Sequence, residues 1–179
     1  MKYELSPGTE ILTADQITLP TGECGEVQYV TAHFIKGEPP KLWKDFSDDE
    51  SNWSALPPEE RTRMTEELKN AILSGKVKNL WLSFDPCGED CALNVDFDKG
   101  WAAFLYNACD ECAAAPYNPD CPDAWENAPV DIGGQTPVPR MCALEDQEKA
   151  ARVVLHFLET GKLSPETKWA VNTQGDLPW

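Results

Sequence analysis

Apolar and polar positions in this 179-residue chain switch between two periods, one suited to strands and one to helices. The run from Val27 to Ile35 is rich in β-branched and aromatic residues and stops at Gly37 and Pro39-Pro40, which predicts a strand. Residues 36–56 read as a polar connection, which Trp43, Phe46 and Trp53 are expected to dock onto the core. At Pro57-Pro58 the period changes. Met64, Leu68, Ala71 and Ile72 fall on one helical face, Glu59 and Glu60 suit the positive end of a helix, and Gly75 is the expected stop. Three strand-like segments follow, Leu80–Phe84, Ala92–Phe97 and Trp101–Asn107, with a tight turn at Asp98-Lys99-Gly100. This is the pattern of an antiparallel meander.

Residues 108–140 show neither period and contain Pro116, Pro119, Pro122, Pro129, Pro137 and Pro139, so they read as one long loop, functional or mobile. A second helix is expected from about Leu144 to Thr160. It carries Ala151, Val154, Leu155 and Leu158 on its apolar face, widened by Val153 and Phe157, and ends at Gly161. Lys168 to Val171 reads as a closing strand. The predicted fold is α+β: an antiparallel meander sheet packed with two helices, with a long acidic loop between the third meander strand and the C-terminal helix. Residues 1–179 form a single domain, of which 1–56 are an N-terminal strand-and-loop extension and 57–171 the core.

Composition adds limits. A hydrophobic fraction of 41% and seven tryptophans predict a chain that folds. With 15 Lys+Arg against 31 Asp+Glu the net charge is −16, which excludes a diffuse basic surface for nucleic acid or anionic membrane. The apolar runs are too short to span a bilayer. Residues 1–20 carry Glu4, Glu10 and Asp15 where a signal peptide would have its apolar core, so a soluble cytoplasmic protein is expected. The charge is uneven: residues 81–148 hold 14 acidic side chains and only two basic ones, Lys99 and Arg140. A solvated surface accounts for a scattered excess; a concentrated one also suits an acidic face that meets a basic partner.

Seven cysteines in a reducing compartment argue against a disulfide framework. Cys87 and Cys91 are paired in sequence, as are Cys109 and Cys112, and the spacing is close to that of a zinc ribbon. The meander puts both pairs at the same end of the sheet, where four thiolates have the number and type of ligand for a structural zinc, with Cys121 as a spare ligand. The other reading is a set of unligated thiols. The acidic neighbours Glu89, Asp90, Asp110 and Glu111 work against thiolate formation.

No strong active-site motif is present: the chain has no phosphate-binding glycine loop, no G-x-S-x-G and no H-E-x-x-H. His33 lies within a strand and His156 on a helix, and both read as structural. Cys109 with His156 makes a two-residue nucleophile and base with no third partner. A non-enzymatic protein is expected.

The order of elements from residue 79 to 171, with the stretch Glu148–Trp169, resembles the Imm-one type immunity proteins of bacterial polymorphic toxin systems. In that family a helix ends in a Phe-containing turn, followed by a Gly or Lys, a Pro and a Trp in the final strand; the matching positions are Phe157, Gly161, Pro165 and Trp169. The helix at 57–74 also sits where the family has one. The first 56 residues exceed the family's compact form, and the paired cysteines are no feature of it. The resemblance implies a non-enzymatic inhibitor that binds a cognate toxin, such as a nucleic-acid deaminase or nuclease-like effector, and occludes its active site. A toxin of that kind needs a basic groove. An acidic inhibitor matches it.

No family motif marks the contact surface, so composition points to it. Asp110, Glu111, Asp120, Asp123, Glu126 and Asp131 are interleaved with Tyr117 and Trp125, and aromatic anchors ringed by charge are common in tight interfaces. The competing reading is a solvated loop with Trp125 folded back onto the core. The second function carried forward is a zinc-stabilised adaptor for some other basic protein.

Overall fold

β-Strands of the chain assemble into one large, mostly central sheet. The structure, a computed structural model, describes residues 4–17, 26–35, 39–44, 46, 52–85, 91–108 and 112–179. The strands are β1 (Thr9–Leu12), β2 (Tyr29–Phe34), β3 (Val77–Ser83), β4 (Cys91–Asp98), β5 (Trp101–Ala108), β6 (Cys112–Tyr117), β7 (Asn127–Ile132), β8 (Thr136–Pro139), β9 (Ala143–Leu144) and β10 (Lys168–Asn172). The helices are α1 (Lys41–Lys44), α2 (Pro58–Leu73) and α3 (Gln147–Thr160). The main sheet is antiparallel throughout, in the order β1-β10-β6-β5-β4-β3-β2, with β9 pairing β5 off this path. The expected α+β class is therefore the observed one, and β3, β4 and β5 are the predicted meander.

Alternation along each strand sorts side chains to the two faces of the sheet. Leu80, Leu82, Leu93, Val95, Phe104, Tyr106, Trp169 and Val171 all belong to the larger core, together with Met64, Leu68, Ala71 and Ile72 of α2 and Val153, Val154, Phe157 and Leu158 of α3. The two longer helices pack on each other as well as on this core. The anchors of the 36–56 connection behave as predicted: Trp43 and Trp53 are buried and stacked 5.8 Å apart, Phe46 meets both edge-on, and the Trp43 indole donates to the Met64 carbonyl at 2.9 Å. The segment read as an N-terminal extension supplies both edges of the sheet, β1 beside β10 and β2 beside β3.

Helix α3 starts three residues later than the apolar pattern suggests because Asp146 caps it, accepting a bond from the Lys149 amide at 3.1 Å. It ends at Gly161, whose φ of 69° is left-handed and whose amide donates to the Phe157 carbonyl. Gly161→Ala should cost about 1 kcal/mol of stability through this backbone conformation. A urea midpoint unchanged from the parent would show that the turn relaxes at no cost.

The long loop expected over 108–140 is corrected by the structure. Residues 112–117 are strand β6, and residues 127–139 contain the β7–β8 hairpin, a second small sheet. The strand signal of β6 was hidden because residues 112–116 are buried, so no polar position alternates with the run Cys112-Ala113-Ala114-Ala115. Pro116 is tolerated because pairing with β5 ends at Ala114, leaving one side of the strand without a ladder partner. The hairpin folds back over β4 and β5 on the face away from the helices. Its Ala128, Val130 and Val138, with Ala124 and Met141, bury Ala103 and Ala115 in a second core. The Trp179 indole donates to the Pro137 carbonyl at 2.9 Å against the same hairpin.

Candidate partner-binding surface

Seven carboxylates between residues 118 and 148 face solvent: Asp120, Asp123, Glu126, Asp131, Glu145, Asp146 and Glu148. Arg140 is the one cation in that span, and the fold itself uses it. Its guanidinium lies 3.4 Å from the Asp123 carboxylate and 5.8 Å from the centre of the Trp101 ring, and its Nε donates to the Asn127 carbonyl at 3.3 Å. The surface therefore stays strongly acidic despite this cation.

The segment that presents these groups is held by the backbone. The Arg140 amide donates to the Glu126 carbonyl at 2.8 Å, the Met141 amide to Ala124 at 3.0 Å, and the Asn118 amide to Met141 at 2.6 Å. Ala124 is buried beneath the segment, while its neighbour Trp125 keeps 37% of its surface exposed. Asp123, just before them, adopts a positive φ of 53°. Asp120 also shares a hollow of about 560 Å³ with Glu145, Asp146 and Lys149 at the start of α3. Tyr117 is half-buried and packs against the second core. Asp110 and Glu111 lie outside the described residues. The structure thus gathers Asp120, Asp123, Trp125 and Glu126 on one segment and adds Glu145 and Asp146, which sequence reasoning missed. Their signal was present in the sequence, but as the cap of a helix and the residue before it they carry an ordinary local explanation.

Of the four paired cysteines, Cys87 and Cys109 lie outside the described residues. Cys91 and Cys112 both register with Ala108 of β5, so they sit at one end of the sheet on the same face, as the meander implied. Cys91 is disulfide-bonded, where reduced thiols were expected; Cys112 is free. A disulfide depends on two Cα atoms coming within about 7 Å, which strand pairing decides and sequence spacing does not. Zinc on the four cysteines would require Cys91 in its reduced form. Among the described residues no three His, Cys, Asp or Glu side chains form a metal-holding group.

Among the described residues the remaining thiols are Cys121, which lines the hollow, and Cys142, which is buried. Burial, with a smaller contribution from Cys121, pushes the Cys142 thiol up to about 12; burial also raises Cys121, with Arg140 opposing and Glu145 and Asp120 adding. Both remain protonated at pH 8, but only Cys121 is accessible. Iodoacetamide is expected to label Cys121 slowly and Cys142 only after unfolding, as read by peptide mass spectrometry. Labelling of native Cys142 at an equal rate would contradict this burial.

Comparison of the chain with protein-family models, curated proteins and solved structures finds no match. No helix among the described residues is long and apolar enough to cross a membrane.

Proposed function

We propose that this chain is an interaction protein that binds a basic protein partner through the acidic surface of residues 117–148, and within that class a toxin-neutralising immunity protein. The observation that carries the reading is an exposed Trp125 on a backbone-clamped segment among seven exposed carboxylates, with the single cation of the span engaged internally. An exposed indole supplies apolar contact area at little ordering cost. The surrounding charge steers encounter with a basic groove and rejects acidic competitors. A toxin that acts on nucleic acid has such a groove, and an acidic protein seated in it would exclude the substrate without any chemistry of its own.

The test is genetic and biochemical together. The protein should restore growth to cells that express the toxin encoded beside its gene, and should co-purify with that toxin at low salt but not at high salt. Growth arrest that persists despite full expression of both proteins would refute the immunity reading. A salt-insensitive complex would refute the acidic surface as its site.

A further inference from the structure

The face of the sheet away from the helices is only half covered by the β7–β8 hairpin. Between the hairpin turn at Ile132-Gly133 and the strands β2, β3 and β4 lies an open groove of about 510 Å³. Such a volume is in the range of small-ligand sites. Strand register determines what lines it. Thr31 of β2 stands opposite Trp81 of β3, which stands opposite Asn94 of β4; in the next row His33, Asn79 and Asp96 are aligned in the same way. Residues aligned or two apart on one sheet face have side chains within reach of one another. Trp81, an indole 43% exposed, is therefore bordered by hydrogen-bonding side chains.

Two of those groups are held in place. The His33 Nδ1 lies 2.6 Å from the Asn79 Oδ1, so Nδ1–H donates, leaving the Asn79 amide to donate and Nε2 turned to other partners. The Gly133 amide of the hairpin turn donates to the Asp96 Oδ2 at 3.1 Å, leaving Oδ1. Burial raises the Asp96 carboxyl above its ordinary range, against the opposing influence of Gly133 and Lys78. Asn94 offers a donor and an acceptor from one planar group, and Thr31 a hydroxyl. The site thus combines one flat apolar platform with a rim of paired donors and acceptors, and among the described residues that line it Asp96 is the only anionic group.

We infer that this groove binds a neutral oligosaccharide, with one sugar ring stacked on Trp81 and its hydroxyls bonded by Asn79, Asn94, Asp96 and His33. A pyranose is unusual among small ligands in having an apolar C–H face and a rim on which every hydroxyl both donates and accepts. The indole matches the first, and fixed amide and carboxylate groups match the second. A phosphate-bearing ligand would meet the Asp96 carboxylate in a chain of net charge −16, which disfavours nucleotides. The groove is open to solvent rather than an enclosed cavity, so one ring of a longer sugar chain can enter it.

Saturation-transfer NMR with cellohexaose, xylohexaose, maltohexaose, mannohexaose and chitohexaose is the test, followed by calorimetric titration of any hexaose that responds. At least one should bind saturably, with transfer strongest at ring C–H protons. Trp81→Ala and, separately, Asn94→Leu should weaken that binding about tenfold or more, while Trp125→Ala leaves it unchanged. Trp81 is exposed, so its variant should keep the parent's unfolding midpoint, and Asn94→Leu supplies an independent check. Binding by none of the five hexaoses, or binding indifferent to both groove variants, overturns the inference. Trp81→Ala that abolishes toxin neutralisation instead would assign the groove to the protein interface and overturn it equally. The groove shares the hairpin turn with the acidic segment, but Trp81 and Asn94 lie on β3 and β4 outside that segment, so these variants separate the two readings.

Discussion

Trp169→Ala should destabilise the fold by about 3–5 kcal/mol, the usual cost of deleting a fully buried large aromatic. Trp169 is 0% exposed and sits on β10, the strand joining edge strand β1 to β6. It registers with Leu12 on one side and Pro116 on the other, so a cavity there loosens two pairings at once. Its indole also donates to the Ser164 carbonyl at 3.0 Å in a buried setting, and truncation leaves that carbonyl without its donor. A domain stable by about 5–15 kcal/mol would lose a large share of its margin, and its melting temperature should fall by about 10 °C or more. Trp169→Phe restores most of the ring and loses only the hydrogen bond, so it should cost about 1–2 kcal/mol. Urea melts of both variants beside the parent give the measurement. A loss under about 1 kcal/mol for the alanine variant would mean the site collapses around the gap.

Partner affinity should fall about tenfold or more in Trp125→Ala, since interface aromatics dominate binding energy where they are anchors. Asp120→Lys should act differently, slowing association and weakening its salt dependence, because surface charge acts over about one Debye length, roughly 10 Å at 0.1 M salt. Asp120 is preferable to Asp123 for charge reversal. Asp123 bridges Arg140 and holds a positive φ, so its replacement disturbs the segment as well as the charge. Both chosen positions are exposed, and unfolding midpoints should stay at the parent's value. Surface-immobilised binding of the co-purifying toxin at two salt concentrations separates the effects. If both variants bind as the parent does, the interface lies elsewhere.

The two long helices were legible because each buries only one side, and the meander because turn residues bound its aromatic and β-branched strands. Met64, Leu68, Ala71 and Ile72 are all buried on α2, and the turn at Lys99-Gly100 adopts the positive φ values of 49° and 80° that a tight β4–β5 hairpin needs. β6 was illegible because it carries neither signal. It is covered on both faces and built largely from alanine, which fits a narrow gap between layers but has weak strand preference. The prolines of β7 and β8 likewise mimic a loop, since a two-stranded hairpin has edges that accept them.

The sequence by itself determined the fold class, the presence of both long helices and the concentration of acidic charge, because these rest on local period and composition. Only the tertiary structure decided which strands are neighbours, that β1 and β2 close opposite edges, and that Asp120 meets Glu145 and Asp146 across one hollow. It also decided that Thr31, Trp81 and Asn94 share one row of an open face. The reason is the same in each case. Pairing between strands distant in sequence is set by how the whole core packs, and a shift of one residue in register would send each of these side chains to the other face.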